Sequence, residues 1–170
     1  MSSVERPVPP MNADERAVLE GWLDFHRATL ETKCAGVDDT QAATASVPPS
    51  GITLTGLIQH MAEVERNWFR RVLTGERTPP IHDPRADPHG PEGGFELAEG
   101  ASLHEALTTW KAEVARAREC CADRCLTETG HFAGGEVNLR WIYVHLVEEY
   151  ARHNGHADLI RERLDGTTGV

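Results

Sequence analysis

Residues 141–166, WIYVHLVEEYARHNGHADLIRERLDG, are the stretch of sequence that decides the fold. Their pattern predicts one long helix. Asn138, three residues upstream, has the side chain of an N-cap, and Gly166 is the residue type that ends a helix. The other helices are predicted to pack around this one.

Polar side chains that can bind metal share one face of this helix. At about 100° per residue, Glu149 and His153 lie about 40° apart on the helix surface, whereas His156 and His145 fall about 20° and 40° to the other side of Glu149. Apolar surface beside this stripe is expected from Val144, Val147, Leu159 and Ile160. Burying three imidazoles and a carboxylate against a core is costly unless something holds them together. A divalent metal ion would do so.

The composition indicates one soluble domain. The chain has 170 residues, of which 39% are apolar and 26% charged, as in ordinary globular proteins. No apolar run approaches the roughly 20 residues that cross a bilayer, and the N-terminus lacks the basic and apolar regions of a secretory signal. We therefore expect a cytoplasmic protein with no membrane partner. The net charge of −10 argues against nucleic acid as the main partner.

Three more helices are predicted upstream. The first opens at the capping-box spacing Asn12–Glu15 and runs to about Cys34, and the others cover 53–73 and 102–121. Each predicted helix carries one tryptophan, which we assign to core packing. Segments 36–51 and 127–135 are predicted loops, and no strand is predicted.

Four helices of roughly 20 residues predict an all-α fold, a four-helix bundle. The domain is expected to span residues 12–166, between a flexible N-terminal arm at 1–11 and a tail at 167–170. The connection 74–100 is long for a bundle, so it is expected to be either functional or poorly ordered.

A mononuclear metal site is predicted from His60 on the second helix with Glu149 and His153 on the fourth. Three protein ligands leave an open position, as in catalytic zinc sites. The competing interpretation is that these are ordinary polar residues near the bundle surface. His156 is an alternative partner of His153, or a substrate contact, and His145 is expected to be a core histidine.

The cysteines are predicted to be free thiols. Cys120, Cys121 and Cys125, followed by His131, superficially resemble a metal knuckle. A second Cys-x2-Cys pair is missing, and the cytoplasm disfavours disulfides.

The segments 60–69 (HMAEVERNWF), 148–158 (EEYARHNGHAD) and 161–166 (RERLDG) resemble the DinB-like superfamily, and within it the actinobacterial mini-circle-type branch. The resemblance covers residues 12–166. It implies a four-helix bundle with up-down-down-up connectivity and a divalent metal, zinc or nickel, held by three side chains. The usual triad is three histidines, of which His153 matches the last. Glu149 stands where the preceding histidine is expected, as it does in the related mycothiol-dependent maleylpyruvate isomerases.

The resemblance also implies a function. Members with assigned activities are mostly transferases or isomerases that use low-molecular-weight thiols such as mycothiol, so we expect a metal-dependent transferase acting on an electrophilic small molecule. Arg152 or Arg140 would hold a carboxylate of the thiol or substrate, with His156 as a further substrate contact. The alternatives are a non-enzymatic metal-binding stress-response protein and a metal-dependent hydrolase with Glu63 or His156 as base. A homodimer is as compatible with the sequence as a monomer.

Overall fold

The computed structural model describes residues 4–82 and 93–169. The residues outside this description are 1–3 in the predicted arm, 83–92 in the second connection and 170 in the predicted tail. The described residues form five α-helices: α1 Glu15–Cys34, α2 Asp39–Ala42, α3 Leu54–Glu65, α4 Leu103–Cys121 and α5 Leu139–Asp165. A π-helical segment, Arg66–Leu73, continues α3, and two strands, β1 Thr129–Phe132 and β2 Gly135–Asn138, precede α5. The protein is therefore mostly helical, as predicted.

The ends of α5 are those predicted from the sequence. The side chain of Asn138 accepts a hydrogen bond of 2.9 Å from the backbone N–H of Trp141, which caps the first turn. Gly166 adopts a left-handed conformation with φ of 78° directly after the last helical residue. The 27 residues between them make α5 the longest helix of the described chain.

Two other predicted caps are corrected. The N-cap of α1 is Asp14 rather than Asn12, and its carboxylate accepts from the N–H of Ala17 at 3.0 Å. Ser102 stands at the N-cap of α4, but its side chain makes no capping hydrogen bond; the N–H of Leu103 donates to Asp39 of α2 at 2.8 Å. The short helix α2 lies in segment 36–51, which we had predicted to be a loop.

The helices pack around one apolar core. Helix α1 packs mainly against α5, and α3 packs against α4. Fully buried side chains come from each of these helices, including Leu23, Leu30, Leu57, Met61 and Leu146. The described part of the predicted arm contacts α1, where Arg6 lies over the Phe25 ring. The four-helix connectivity and the division into arm, domain and tail stay predictions.

The strands form an antiparallel hairpin, so the prediction that the chain contains no strand was wrong. Thr129 pairs with Asn138 and Phe132 with Gly135. Ala133 and Gly134, which link the strands, have φ of 50° and 79°, the left-handed values that tight hairpin turns need. A Cβ at Gly130 would lie 2.1 Å from the carbonyl oxygen of Val72, so a side chain there would block this packing.

The four tryptophans do not all belong to the core. Trp68 and Trp110 are buried, at 2% and 3% exposure, whereas Trp22 and Trp141 are 45% and 48% exposed. The prediction of core packing therefore fails for two of them. Val144 and Leu159, predicted to border the polar stripe with apolar surface, are also exposed.

A buried hydrogen-bond network connects α1, α3, α4 and α5. The guanidinium of Arg27 makes two hydrogen bonds to the Glu65 carboxylate, at 2.8 and 2.7 Å. The hydroxyl of Tyr150 donates to Glu65 at 2.7 Å and accepts from the indole N–H of Trp110 at 2.8 Å. Burial alone would lower the pKa of Arg27, but the charge of Glu65 raises it above its ordinary value. The guanidinium of Arg27 therefore keeps its charge inside the protein.

Replacing Glu65 by Ala should lower the free energy of unfolding by roughly 3–5 kcal/mol, because Arg27 would be left buried without its counter-charge. Urea denaturation monitored by tryptophan fluorescence measures the change. Glu119→Ala is the matched control, since it removes a carboxylate from an exposed ion pair with Arg116 and should cost far less. Equal losses in the two variants would contradict the importance of the buried pair.

Candidate metal centre

The fold brings the three predicted metal ligands together. His60 lies on α3, and Glu149 and His153 lie one turn apart on α5. Oε2 of Glu149 is 3.7 Å from Nε2 of His60 and 3.4 Å from Nε2 of His153. The three side chains are only 7%, 12% and 7% exposed. One donor atom from each lies within 4.8 Å of the others, so the group, called here the metal cluster, could hold one ion.

The ring of His60 is oriented by the second connection. Its Nδ1 lies 3.0 Å from the carbonyl oxygen of Gly93. A carbonyl only accepts, so Nδ1 carries the proton and Nε2 presents a lone pair on the side of Glu149. The ring also stacks on Phe95, with centroids 4.2 Å apart and planes at 21°. Such support fixes both the tautomer and the rotation of a metal-binding imidazole.

His156 orients the ring of His153. The two Nδ1 atoms are 3.2 Å apart, so one ring donates a hydrogen bond to the other. When His153 donates, its Nε2 is left free to bind an ion beside Glu149. The structure thus places His156 against a candidate ligand, and its role as a substrate contact stays a prediction.

The charges of the metal cluster suit a divalent cation. Contacts with His153 and His60 hold the pKa of Glu149 well below its usual range, although burial opposes this. Burial lowers the pKa of His153, against the opposing effect of Glu149. At neutral pH the carboxylate is therefore charged and the His153 imidazole neutral, which are the protonation states that metal binding requires.

The donor atoms of the metal cluster are spaced closely enough to bind one zinc ion. Zinc binds imidazole nitrogen and carboxylate oxygen at about 2.0–2.2 Å, so donors around one ion lie roughly 3–3.5 Å apart. The observed separations of 3.4 and 3.7 Å need only small side-chain movements to reach these values. Two imidazoles with one carboxylate suit zinc and neighbouring transition metals better than magnesium or calcium.

A second group of potential ligands, His145, Glu148 and Glu149, is less suited to bind an ion. All three come from α5, and Nδ1 of His145 is 4.0 Å from Glu148. Glu148 is exposed and already forms an ion pair with Arg152. This group also shares Glu149 with the metal cluster, so the two sites would compete.

The two arginines predicted to contact substrate lie in different places. Arg152 is at the rim of the metal cluster, where it is 56% exposed and 3.4 Å from Glu149. Arg140 forms an ion pair with Glu15 of α1 at 2.5 Å. It lies in the first turn of α5, about 14 Å along the helix from Glu149, so the structure does not bring it to the cluster.

The cysteines lie outside the metal cluster, and all four are free. Burial raises the pKa of Cys34 to about 12 and that of Cys121 to about 11. The pKa of the half-buried Cys120 is raised by burial as well. These three thiols therefore stay protonated at neutral pH, where they are poor nucleophiles and poor ligands.

Sequence reasoning missed Gly93 and Phe95, which support His60. They lie in a segment without helical or strand periodicity, so the sequence does not indicate which residues they contact. A Cβ at Gly94 would approach the backbone N of His60 to 3.0 Å, so glycines there permit close contact with α3. The run of glycines at 93 and 94 was the one available signal.

A protein-family model described as mycothiol S-transferase matches residues 18–166. The chain belongs to that family. The mycothiol S-transferase match spans all the main helices and every member of the metal cluster. No curated protein matches the chain significantly.

A solved structure has the same fold as this mycothiol S-transferase family member. It is described as the crystal structure of a conserved protein from Enterococcus faecalis, with a TM-score of 0.62 and 16% sequence identity. The match covers 92% of this chain and all of the other. At that identity the likeness concerns the fold alone.

No helix among the described residues is long and apolar enough to span a membrane.

We expect His60→Ala and His153→Ala each to lose most of the bound metal, since either change leaves two protein ligands. Elemental analysis of purified protein measures the loss, and the melting temperature of wild type should fall on chelation. His145→Ala, on the same face of α5, should retain its metal. If both of the first two variants kept a full complement, the metal cluster would be assigned wrongly.

Changing Cys34, Cys120, Cys121 and Cys125 together to serine should leave the metal content unchanged. The buried positions Cys34 and Cys121 are expected to cost some stability through packing. Elemental analysis and circular dichroism are measured on the same sample. A folded but metal-free variant would show that a thiolate is a ligand.

Proposed function

We propose that the protein is a divalent-metal-dependent transferase that joins a low-molecular-weight thiol, mycothiol first, to an electrophilic small molecule. The observation that carries the proposal is the metal cluster of His60, Glu149 and His153 within a chain of the mycothiol S-transferase family. The proposal includes the up-down-down-up bundle expected of DinB-like proteins, whose core would hold the ion between α3 and α5.

The metal cluster would hold the ion with one carboxylate and two imidazoles. A bound zinc or nickel ion supplies acidity, because a coordinated thiol is deprotonated near neutral pH. With neutral imidazoles, Glu149 is the one ligand that offsets the charge of the cation. The site therefore keeps a net positive charge and favours an anionic sulfur over a neutral one.

Residues around the metal cluster would orient the thiol. Arg152 stands at the exposed rim, where its guanidinium can bind a carboxylate of the thiol after leaving Glu148. His156 holds the ring of His153 and is half-buried, so it can also contact the thiol at the open side.

The reaction needs no cysteine from the protein. The sulfur of the thiolate donates an electron pair to the electrophilic carbon and forms a carbon–sulfur bond. The bond from that carbon to its leaving group breaks, and the leaving group departs with the bonding pair. The proton lost by the thiol passes to solvent.

Glu63 is poorly placed to serve a hydrolase as general base. Its carboxylate is 1% exposed and accepts hydrogen bonds from the backbone N–H groups of Ile81 and His82. These bonds fix the chain after the π-helical segment. Burial raises the pKa of Glu63, but the group is committed to this structural contact.

Metal-loaded protein should accelerate the conjugation of mycothiol to monochlorobimane, measured by the fluorescence of the product. Chelation should abolish the acceleration and zinc or nickel should restore it, because the thiolate depends on the ion. Glu149→Gln should lower kcat/KM at least about tenfold, since it removes a charged ligand at constant size.

Arginine variants test the predicted thiol contact in the same assay. Arg152→Ala should raise KM for mycothiol, whereas Arg140→Ala, on the same helix but paired with Glu15, should not. If mycothiol, bacillithiol, glutathione and cysteine all fail with protein shown to hold accessible metal, the protein is a metal-binding protein without this activity.

A further inference from the structure

Four aromatic rings form a cluster between the hairpin and the middle of α5. Trp68 of the π-helical segment is the centre, with ring centroids 4.5 Å from His145, 4.7 Å from Phe132 and 5.3 Å from Trp141. His145 stacks on Trp141, with centroids 5.0 Å apart and planes at 18°. These four residues are called here the aromatic cluster.

The aromatic cluster continues the metal cluster along α5. Trp141, His145, Glu149 and His153 recur every four residues, so each lies about 40° around the helix from the one before it, and Trp141 is about 120° from His153. His145 connects the two clusters, since it stacks on Trp141 and one of its ring nitrogens lies within 4.8 Å of a Glu149 oxygen. His145 lies about 6 Å and Trp141 about 12 Å from Glu149 along the helix axis. A small molecule that reacts at the metal cluster can therefore extend over the aromatic rings.

The outer half of the aromatic cluster is open to solvent. Trp141 is 48% exposed and Phe132 is 45% exposed. Together with Glu136, Val137 and Asn138 they line a cavity of about 320 Å³. That volume lies at the small end of ligand pockets. The cavity therefore fits a small molecule with one or two fused rings.

The inner half lies beside the cavity lining and contains two buried polar atoms without a hydrogen-bond partner among the described residues. They are Nε1 of Trp68 and Nε2 of His145. Trp68 is 2% exposed, so its N–H has lost water without a protein acceptor in exchange. A buried donor left unpaired costs about 1–3 kcal/mol. A ligand oxygen that accepts from Trp68 would recover this free energy.

We propose that the aromatic cluster binds the electrophilic substrate through a planar, uncharged ring that carries a hydrogen-bond acceptor. The inference rests on the proposed transferase function. Stacking on Trp141 requires a planar ring, the N–H of Trp68 favours an acceptor, and the carboxylate of Glu136 at the cavity disfavours an anion.

The subsite would select electrophiles by shape before the chemical step. A ring stacked on Trp141 would direct a substituent on its edge past His145 toward Glu149. For a chloromethyl substituent, the thiolate sulfur donates its electron pair to the methylene carbon, the carbon–sulfur bond forms, and chloride leaves with the electrons of the carbon–chlorine bond. Electrophiles too small to reach the rings would gain nothing from the subsite.

Equilibrium binding tests the subsite without turnover. Isothermal titration calorimetry of a bimane that lacks the chlorine should show binding to wild-type protein and about tenfold weaker binding to Trp141→Ala and Phe132→Ala, the loss expected when a stacking surface is removed. Both positions are half exposed, so the variants should fold. Trp22→Ala, a tryptophan of equal exposure on α1, should bind like wild type. Naphthalene, planar but without an acceptor, should bind more weakly than the bimane.

Kinetics with two electrophiles then test specificity. For monochlorobimane, Trp141→Ala should raise KM about tenfold with little change in kcat. For chloroacetamide, which reacts at a similar carbon but has no ring, kcat/KM should stay within about twofold of wild type, because no stacking energy is involved. Metal content is measured in every variant and should not change.

Two results would overturn the subsite. One is equal binding of the unreactive bimane to wild type, Trp141→Ala and Phe132→Ala. The other is a parallel loss of activity with both electrophiles, which would mean that Trp141 only supports the structure. If instead wild type binds the bimane as described but conjugates no thiol, the subsite stands and the proposed transferase function fails.

Discussion

The buried ion pair between Arg27 and Glu65 is the constraint on which the rest of the structure depends. Two charges have left water, and this is tolerable only because each is hydrogen-bonded by a fixed partner. Tyr150 and Trp110 complete the arrangement, so the network includes one residue from each long helix. A helix that moved away would leave a buried charge unpaired. The relative positions of α1, α3, α4 and α5 are therefore tightly coupled.

The same network sets the geometry of the metal cluster. Glu65 follows His60 by little more than one turn of α3, and Tyr150 directly follows Glu149 on α5. The hydrogen bond from Tyr150 to Glu65, at 2.7 Å, therefore fixes how α3 and α5 align along their axes. A slide by one helical turn, about 5.4 Å, would separate His60 from Glu149. Stability and metal binding are thus expected to respond together to changes in the network.

Local sequence patterns predicted the features that depend on one helix alone, namely the ligand spacing and the caps of α5. The proximity of Glu149 and His153 follows from a four-residue spacing, and the caps Asn138 and Gly166 are local signals. The pairing of Arg27 with Glu65 was not predicted, because both occur on amphipathic helices where charged residues are common and 38 residues separate them. The hairpin was missed since its strands have four residues each, too few for an alternating pattern.

In the proposed function, the distribution of polarity along α5 separates the binding of the thiol from the binding of the electrophile. A thiolate needs positive charge and low water content, and the His153 end of the helix face supplies donors for a cation. An uncharged electrophile gains nothing from that charge, but it gains from stacking, which the Trp141 end provides. Because burial raises the pKa values of Cys34 and Cys121, those two thiols stay protonated and do not compete for the electrophile. In the proposed function, the order of side chains along α5 therefore suits the meeting of an external thiol with a planar substrate.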